Sequence, residues 1–452
     1  MRPAFADQLL GIKGAPQYEI EVNLDPDQHL ITGQQTVWYT NRTGQPLSEI
    51  YFRLLPATPA FGRSMSVTRV RVDEREVQPT LEVQGTALRV PWGTPLEPGA
   101  SAVFQMRFET ATTGRLLLFS RFGQTGNLLE LPAFYPLLAV YDEMGWHTEV
   151  LPEGQIPAET YAEAAFYQVH ITAPSTQVVV TTGSCGPPQP QAEGSKWTCV
   201  AGLAREFAIF AASTYQGLST QVEDATLRFF YTNPLHEDDA RLMLASAVQA
   251  LRVFNRLFGE YPWVELDFVD GFVGHLAIEY PGLVQVGLES YQREPSVQER
   301  VIAAHEVAHQ WWYNLVGNDQ LNHPWLDEAL ATYSEALYVE EVHGAAAARE
   351  WVEGWQRQVG ASGACVDQPA TAFANFEDYV TVVYHKGALF FDEVRRTAGD
   401  AAFFAWLRAY IEANRYGIAN GEKLLAAAEV VGQGETVRAL YDSWIRCPHS
   451  LD

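Results

Sequence analysis

The chain has 452 residues, of which 47% are hydrophobic and 19% are charged, so it is long enough for two or three domains and too apolar to be disordered. Its formal net charge is −25, which argues against a nucleic-acid partner because such a partner requires a basic surface. An acidic surface instead attracts cationic ligands such as protonated amines.

No segment has the composition of a membrane span. The first residues contain no apolar leader core, and the longest stretch without Asp, Glu, Lys or Arg, 164–192, is rich in Thr, Gln, Ser, Gly and Pro. We therefore expect no membrane contact and a cytoplasmic location, with a secreted protein whose leader has been removed as the alternative. Cys185 and Cys199 flank a Pro- and Gly-containing loop, where they either form a disulfide or remain two buried thiols.

The first half of the chain is typical of β structure. In residues 18–24 the apolar side chains occupy alternate positions, which is the period of a half-buried strand. Further runs rich in β-branched and aromatic residues follow, separated by turn residues. These runs are 36–41, 67–73, 101–109, 176–183 and 207–213.

The second half is typical of helices. From His236 onward, Leu244, Val248, Leu251, Asn255 and Phe258 repeat every three to four residues, and a short β stretch (263–286) then precedes a mostly helical remainder. Strands followed by helices predict a β domain joined to an α+β domain. We place the boundary near Ser213, giving domains 1–213 and 214–452.

The most informative segment is 296–337. Ser296 and Glu299 form a capping box that predicts a helix start, and His305 and His309 then lie one turn apart on one helix face. Both imidazoles can therefore reach a single ion, with Glu306 beside them. The alternative is an ordinary helix with two hydrogen-bonded histidines.

A catalytic zinc takes three protein ligands and leaves one position for water. Glu328 follows His309 after 18 residues, on a second helix that Pro324 begins, and is the best third ligand. Glu335 shares a helix face with Glu328, so it either accepts a hydrogen bond from a ligand histidine or is a solvated glutamate.

Five motifs in this region together resemble the aminopeptidase N family of zinc metallopeptidases, in the gluzincin clan. Their order and spacing agree with that family from about Leu251 to Ala388. The motifs are His305-Glu306-x-x-His309, WLDEA around Glu328, FGEYPW at 258–263, LAIEYPGL at 276–283 and YVTVVYHKGA at 379–388.

The resemblance implies an α+β multidomain fold, with a saddle-like N-terminal β-sheet domain followed by a thermolysin-like, mainly helical zinc peptidase domain. It implies an aminopeptidase that holds one Zn²⁺ and takes peptides with a free N-terminus. Glu306 is then the general base, and Tyr384 stabilises the oxyanion of the transition state.

The resemblance also assigns substrate contacts. Glu279 binds the α-ammonium of the peptide, with Ala277 of the same motif as a further contact, although a glutamate facing solvent from an edge strand is the alternative. The second amine-binding residue of the family has no clear match, and Glu130 is a candidate. The remaining histidines are expected to be structural: His236, His275, His323 and His385.

Several positions depart from the family pattern. Leu276 and Tyr313 stand where the family has glycine, as does Ala329, and the other departures are Ile278 for Met, Tyr280 for Asn and Asp327 for Asn. Only 68 residues follow Tyr384, so we expect the large C-terminal helical domain of most relatives to be missing and the active site to be open.

Two other functions remain possible from the sequence. One is a zinc hydrolase of another substrate class, either an endopeptidase or an epoxide hydrolase. The other is a catalytically silent scaffold.

Overall fold

The computed structural model describes residues 12–59, 64–112, 121–150, 160–273, 276–287 and 297–446. They belong to two compact units, one made of Met1–Glu237 and Pro262–Tyr291 and the other of Asp238–Tyr261 and Gln292–Asp452. The first unit is built from strands and the second from helices, so the expected β-then-helical architecture is confirmed. The domain boundary near Ser213 stays a prediction.

The strands of the first unit are short and numerous. In chain order they are β1 (Gln17–Asp25), β2 (Leu30–Thr40), β3 (Leu47–Arg53), β4 (Ser66–Val72), β5 (Arg75–Glu76), β6 (Thr80–Glu82), β7 (Ala87–Leu96), β8 (Ser101–Ala111), β9 (Gly123–Thr125), β10 (Leu128–Pro132), β11 (Leu137–Leu138), β12 (Tyr141–Asp142), β13 (Gly145–Trp146), β14 (Ala165–Ala173), β15 (Val178–Thr181), β16 (Ser184–Cys185), β17 (Gln189–Gln191), β18 (Gly194–Ala204), β19 (Ala208–Ala212), β20 (Gln216–Val222), β21 (Ala225–Tyr231), β22 (Glu265–Gly271), β23 (Ala277–Tyr280) and β24 (Leu283–Gly287).

Nine of these strands form the largest sheet in the described part of the chain, whose order is β16-β18-β14-β1-β2-β8-β4-β5, with β17 paired to β18. Its pairs are antiparallel except for β1 with β14. The alternation predicted for 18–24 is confirmed, because Tyr18, Ile20, Val22 and Leu24 are all buried in the core of this unit. Smaller sheets have the orders β15-β19-β10-β9, β11-β3-β7-β6 and β12-β13.

One strand of the large sheet contains a bulge. Thr68 pairs with Arg107 and Arg71 with Gln105, so the two residues 69 and 70 of β4 face the single residue 106 of β8. Arg69 takes the left-handed backbone conformation, with φ of 52°. A regular strand cannot bury side chains three residues apart, so the bulge lets Val67 pack against the core together with Val70.

A separate five-stranded sheet, in the order β20-β21-β22-β24-β23, completes the first unit. Strand β23 lies at its edge and pairs with β24 alone. Cys185 of β16 and Cys199 of β18 form a disulfide, so the alternative of two free thiols is wrong. Cys365 of the second unit is also disulfide-bonded.

The helices are α1 (Glu237–Phe258), α2 (Val297–Ala308), α3 (Trp325–His343), α4 (Ala345–Val359), α5 (Phe376–Tyr379), α6 (Gly387–Ala398), α7 (Asp400–Asn414), α8 (Gly421–Val430) and α9 (Gly434–Trp444). A π-helical turn, Val380–Lys386, links α5 to α6. No helix in the described ranges is long and apolar enough to cross a membrane.

The sequence predicted most of the buried positions of α1 correctly. Leu244, Leu251 and Phe258 are buried as predicted, but Val248 and Asn255 are only half-buried, since the buried face is centred closer to Ala247 and Phe254. The helix α3 is buried on almost every side, so it runs through the middle of the second unit. The predicted capping residue Ser296 lies outside the described residues, as does His275.

Candidate metal centre

Two histidines face each other at the end of α2. His305 is on the last turn of the helix and His309 follows it, with the backbone N–H of His309 donating to the carbonyl of His305 at 3.2 Å. The spacing of four residues stacks the two side chains, so their Nε2 atoms lie 3.1 Å apart. His305 is 8% exposed and His309 1%, so both imidazoles are shielded from bulk water.

A carboxylate from α3 completes this group. Glu328 is in the first turn of α3, and its Oε2 lies 3.3 Å from the Nε2 atoms of both His305 and His309. Ligands of a tetrahedral zinc at 2.0–2.1 Å would be separated by about 3.3–3.4 Å. The three atoms therefore already have the mutual spacing that a tetrahedral ion requires.

The outer nitrogens of both histidines face acceptors. His305 Nδ1 lies 2.9 Å from Glu335 Oε1, and His309 Nδ1 lies 3.1 Å from the carbonyl oxygen of Trp312. Because a carbonyl or a carboxylate can only accept, each Nδ1 carries a hydrogen, which leaves each Nε2 as the nitrogen that could coordinate an ion. The hydrogen bond predicted for Glu335 is thus present.

Both outer acceptors are themselves held in place. The indole N–H of Trp351, on α4, donates to Glu335 Oε2 at 3.1 Å. The indole N–H of Trp312 donates to Ser334 Oγ at 3.0 Å. Sequence reasoning missed both tryptophans, since neither has ligand spacing and an indole in a helical pattern is usually an ordinary core residue.

A loop anchors the start of α3. Asn318 Nδ2 and Gln320 Nε2 each donate to one carboxylate oxygen of Asp327 at 2.8 Å. Asp327 is 1% exposed, so these amides satisfy a charge that would otherwise be costly to bury. The neighbouring Glu328 is thereby fixed in the first turn of α3.

The electrostatics of the centre favour positive charge. Burial alone would raise the pKa of Glu328, but the facing His309 and His305 hold it well below its usual range. Burial lowers the pKa of His305, whereas the hydrogen bonds to Glu328 and Glu335 outweigh it and raise the pKa to about 10. Converging lone pairs in such surroundings fit a divalent cation.

Tyr384 lies beside the histidines. Its ring is stacked on the imidazole of His305, with 5.8 Å between centroids and 6° between planes. Tyr384 belongs to the π-helical turn. The ring of Tyr379, five residues earlier, contacts the Tyr384 ring edge-on, with 5.8 Å between centroids. Hydrogen bonding from i to i+5 is the pattern of a π-helix, so this local geometry brings residues five apart together. Glu306 is buried on α2, between the two histidines in sequence.

The substrate residues suggested by the sequence lie in the first unit. Ala277 and Glu279 are half-buried on one face of the edge strand β23, while Ile278 and Tyr280 are buried on its other face. The charge of Glu279 acts on buried Glu206, whose pKa is raised to about 7, first by burial and then by Glu279, against the lowering effect of Arg121.

Glu130 is fully buried in the same unit. Its Oε1 accepts the backbone N–H of Phe272 at 2.7 Å and the side-chain amide of Gln285 at 2.8 Å. Its Oε2 has no hydrogen-bond partner among the described residues. Burial raises the pKa of Glu130 to about 8.

Two of the departures from the family pattern have a structural context. Tyr313 takes the left-handed backbone, with φ of 84°, which is a conformation that glycine adopts more readily. Ala329 packs so closely on Gly387 that a Cβ on that glycine would come within 2.5 Å of the Ala329 Cβ.

The fold is shared with solved structures of M1 zinc metallopeptidases. That of the M1 zinc metallopeptidase from Deinococcus radiodurans superimposes with a TM-score of 0.70 at 19% identity, covering 96% of this chain and 95% of that one. A mutant of that enzyme bound to a Tyr-Ser-Ala substrate matches with the same score, over 96% of this chain and 94% of that one. The chain thus shares the fold of these M1 zinc metallopeptidase structures.

The sequence comparisons lead to the family. Residues 243–444 match the Peptidase family M1 domain. Aminopeptidase M1-A of Oryza sativa subsp. japonica is 29% identical over 49% of this chain and 27% of its own length, and Aminopeptidase N of Lactococcus lactis subsp. lactis is 29% identical over 33% and 19%. The matches thus span about a quarter or less of these relatives. The resemblance to the aminopeptidase N family is confirmed.

Proposed function

We propose that the protein is a zinc-dependent aminopeptidase that hydrolyses the N-terminal peptide bond of peptides with a free N-terminus. The observation that carries this proposal is the convergence of three lone-pair atoms, from His305, His309 and Glu328, at spacings of 3.1–3.3 Å. The names of the relatives, aminopeptidases of plants and bacteria, support the same reading.

The residues present fit one Zn²⁺. Two imidazole nitrogens and one carboxylate oxygen are a donor set that zinc uses in hydrolytic sites, and the Nδ1 hydrogen bonds to Glu335 and Trp312 fix the required tautomers. When bound, zinc lowers the pKa of a water molecule and polarises the scissile carbonyl.

Two side chains then carry the proton and charge movements. Glu306 takes a proton from the attacking water and passes it to the leaving amine. Tyr384 donates its phenolic hydrogen to the developing oxyanion, and its ring packs against those of His305 and Tyr379.

The requirement for a free amine is assigned to Glu279. A half-buried carboxylate on a strand face, with Ala277 beside it, suits recognition of an ammonium group. An N-acetylated peptide would leave that carboxylate desolvated without a counter-charge, so it is rejected. We do not assign Glu130 to this task, because its oxygens are buried and one already joins β10 to residues 272 and 285.

The deciding experiment compares a free peptide with its N-acetylated form. We expect the free peptide to be cleaved one residue at a time, activity to vanish with a zinc chelator and to return with Zn²⁺, and the acetylated peptide to resist. Equal cleavage of both peptides would favour an endopeptidase, and cleavage of neither would favour an epoxide hydrolase or a silent scaffold.

The variant Glu306→Ala tests the assigned base. We expect turnover to fall by about 10²–10⁴-fold, since that is the usual contribution of a general acid–base group, while zinc content stays unchanged. Glu350→Ala, an exposed position on α4, is the matched control and should retain full activity. Retained turnover in Glu306→Ala would contradict the assignment.

The disulfides bear on location. Cys185, Cys199 and Cys365 are all disulfide-bonded, and such bonds persist in oxidising compartments. We therefore propose the secreted alternative in place of the expected cytoplasmic location. Alkylation of the protein in its native cells, followed by mass spectrometry, should find these thiols unlabelled before reduction.

A further inference from the structure

The large sheet of the first unit has an open face that the proposed reaction does not use. Two adjoining cavities of about 340 Å³ each lie on it, and they share Glu21, Gln34 and Arg107 among their lining residues. We call the two cavities together the arginine groove, because Arg69, Arg71 and Arg107 line one of them and Lys196 lines the other.

The groove crosses the strands. From β4 it passes over β8, β2, β1 and β14 to β18, which is five strand spacings or about 24 Å. An extended chain rises about 3.3 Å per residue, so a peptide of about seven residues would fill this length.

The bulge in β4 concentrates positive charge on this face. Residues 69 and 70 together face one residue of β8, and this extra residue leaves Val70 and Val72 in the core while Arg69 and Arg71 are both exposed. In this bulge Arg69 adopts the left-handed backbone conformation, which is unfavourable in free energy for a residue other than glycine.

The three guanidinium groups have no counter-charge from the described part of the chain. The side chains of Arg69, Arg71 and Arg107 make no hydrogen bond or ion pair within the described residues, although Glu19 and Glu21 line the same cavity. Other arginines are paired: Arg89 with Glu49, Arg228 with Asp267 and Arg395 with Glu340. In a chain of net charge −25, a group of unpaired arginines in a concave site indicates an anionic ligand.

The other groove residues decide which anion fits. Gln34, Gln105 and Thr36 offer both donors and acceptors, as a peptide backbone requires, while Glu19 and Glu21 repel a uniformly charged polymer. We propose that the arginine groove binds an extended acidic peptide segment through carboxylates at the arginine end and backbone amides along the centre. This site is independent of the proposed hydrolysis.

The test uses a seven-residue N-acetylated peptide of alternating Glu and Gly, labelled with a fluorophore at its C-terminus, and fluorescence anisotropy at low salt. The matched peptide has Gln in place of Glu. We expect saturable binding of the Glu peptide and at least tenfold weaker binding of the Gln peptide, both with and without a zinc chelator. Because the probe is N-blocked and the chelator removes the metal, a failure of the proposed function leaves this result unaffected.

The double variant Arg71→Gln/Arg107→Gln should weaken binding of the Glu peptide at least tenfold. Arg75→Gln, on the neighbouring strand β5 and exposed, does not line either cavity and should change the affinity less than twofold. All three positions are exposed, so unchanged melting temperatures will verify that the variants fold.

Three outcomes would overturn the proposal. The first is no saturable binding of the Glu peptide by folded protein. The second is equal affinity for the Glu and Gln peptides, or for the double variant and the unmodified protein. The third is tighter binding of a single-stranded DNA or a sulfated oligosaccharide than of the Glu peptide, which would assign the groove to a polyanion.

Discussion

A buried glutamate in each unit shows two opposite solutions to the same physical problem. Glu130, in the strand unit, is fully buried and accepts hydrogen bonds from neutral amides only, and burial raises its pKa to about 8. Glu328, in the helical unit, is also buried, but two imidazoles face it and hold its pKa well below the usual range.

The opposite pKa shifts of Glu130 and Glu328 show that burial alone does not determine the charge of a carboxylate. Desolvation pushes both groups toward the neutral form, and the partners decide the outcome. Burial shifts Glu130 toward its protonated form, in which it links β10 to residues 272 and 285, whereas the facing histidines hold Glu328 as an anion. A buried acid thus becomes a metal-ligand candidate through its neighbours.

The substitution Glu328→Gln tests this contrast between the two glutamates with the largest expected effect. The substitution keeps the shape and removes the charge, so we expect zinc affinity to fall by more than about 100-fold, because changes to outer partners alone cost 10–100-fold. Elemental analysis and zinc titration measure it. Glu130→Gln is the control and should bind zinc normally; a Glu328→Gln protein with full zinc content would remove Glu328 from the ligand set.

The next largest effect is the pH dependence of stability that Glu130 causes. Its pKa is higher in the folded state, about 8, than the ordinary value of 4.5, so the folded state binds more protons between these values. Its contribution to stability is therefore complete below about pH 4.5 and is lost as pH rises through 8.

In Glu130→Gln this pH dependence should disappear. Between pH 5 and pH 8 we expect the free energy of unfolding of the unmodified protein to fall by about 3–4 kcal/mol relative to the variant, since one pKa unit corresponds to about 1.4 kcal/mol. Denaturant unfolding at the two pH values measures this difference. Parallel profiles for the two proteins would show that Glu130 is ionised in the fold.

The smallest effect is expected for Trp351→Phe, which tests whether the hydrogen bond from Trp351 to Glu335 supports His305 in the helical unit. Loss of the indole N–H frees one oxygen of Glu335 and loosens the orientation of His305. We expect a severalfold loss of zinc affinity, less than the 10–100-fold cost of removing a direct partner of a ligand histidine. Trp355→Phe, on the same helix, is the control. Equal zinc affinities of the two variants would contradict the role of Trp351.

Much of the fold follows from the sequence because two periods dominate it. Alternation in 18–24 predicted a half-buried strand, and the three-to-four-residue repeat after His236 predicted α1. The bulge at Arg69 was missed, although the spacing of Val67, Val70 and Val72 contains it, since a three-residue step breaks a strand's period.

The candidate centre was accessible for a similar reason. His305 and His309 lie one turn apart, and Glu328 and Glu335 lie seven residues apart on α3, so helix geometry predicted the face that each pair shares. Trp351 and the pair Asn318 and Gln320 were not accessible, because they reach the centre through tertiary packing of another helix and a loop. Chemical type alone does not mark such residues.

Because Tyr384 lies in the π-helical turn Val380–Lys386, its position depends on the number of residues in that turn. A π turn holds one residue more than the α-helical turn it replaces, and each residue of an α-helix advances by about 100° around the axis. Removing one residue between 380 and 383 should let the segment relax into a regular helix and rotate the phenol of Tyr384 away from His305. The segment therefore tolerates exchanges of aliphatic side chains far better than it tolerates a deletion.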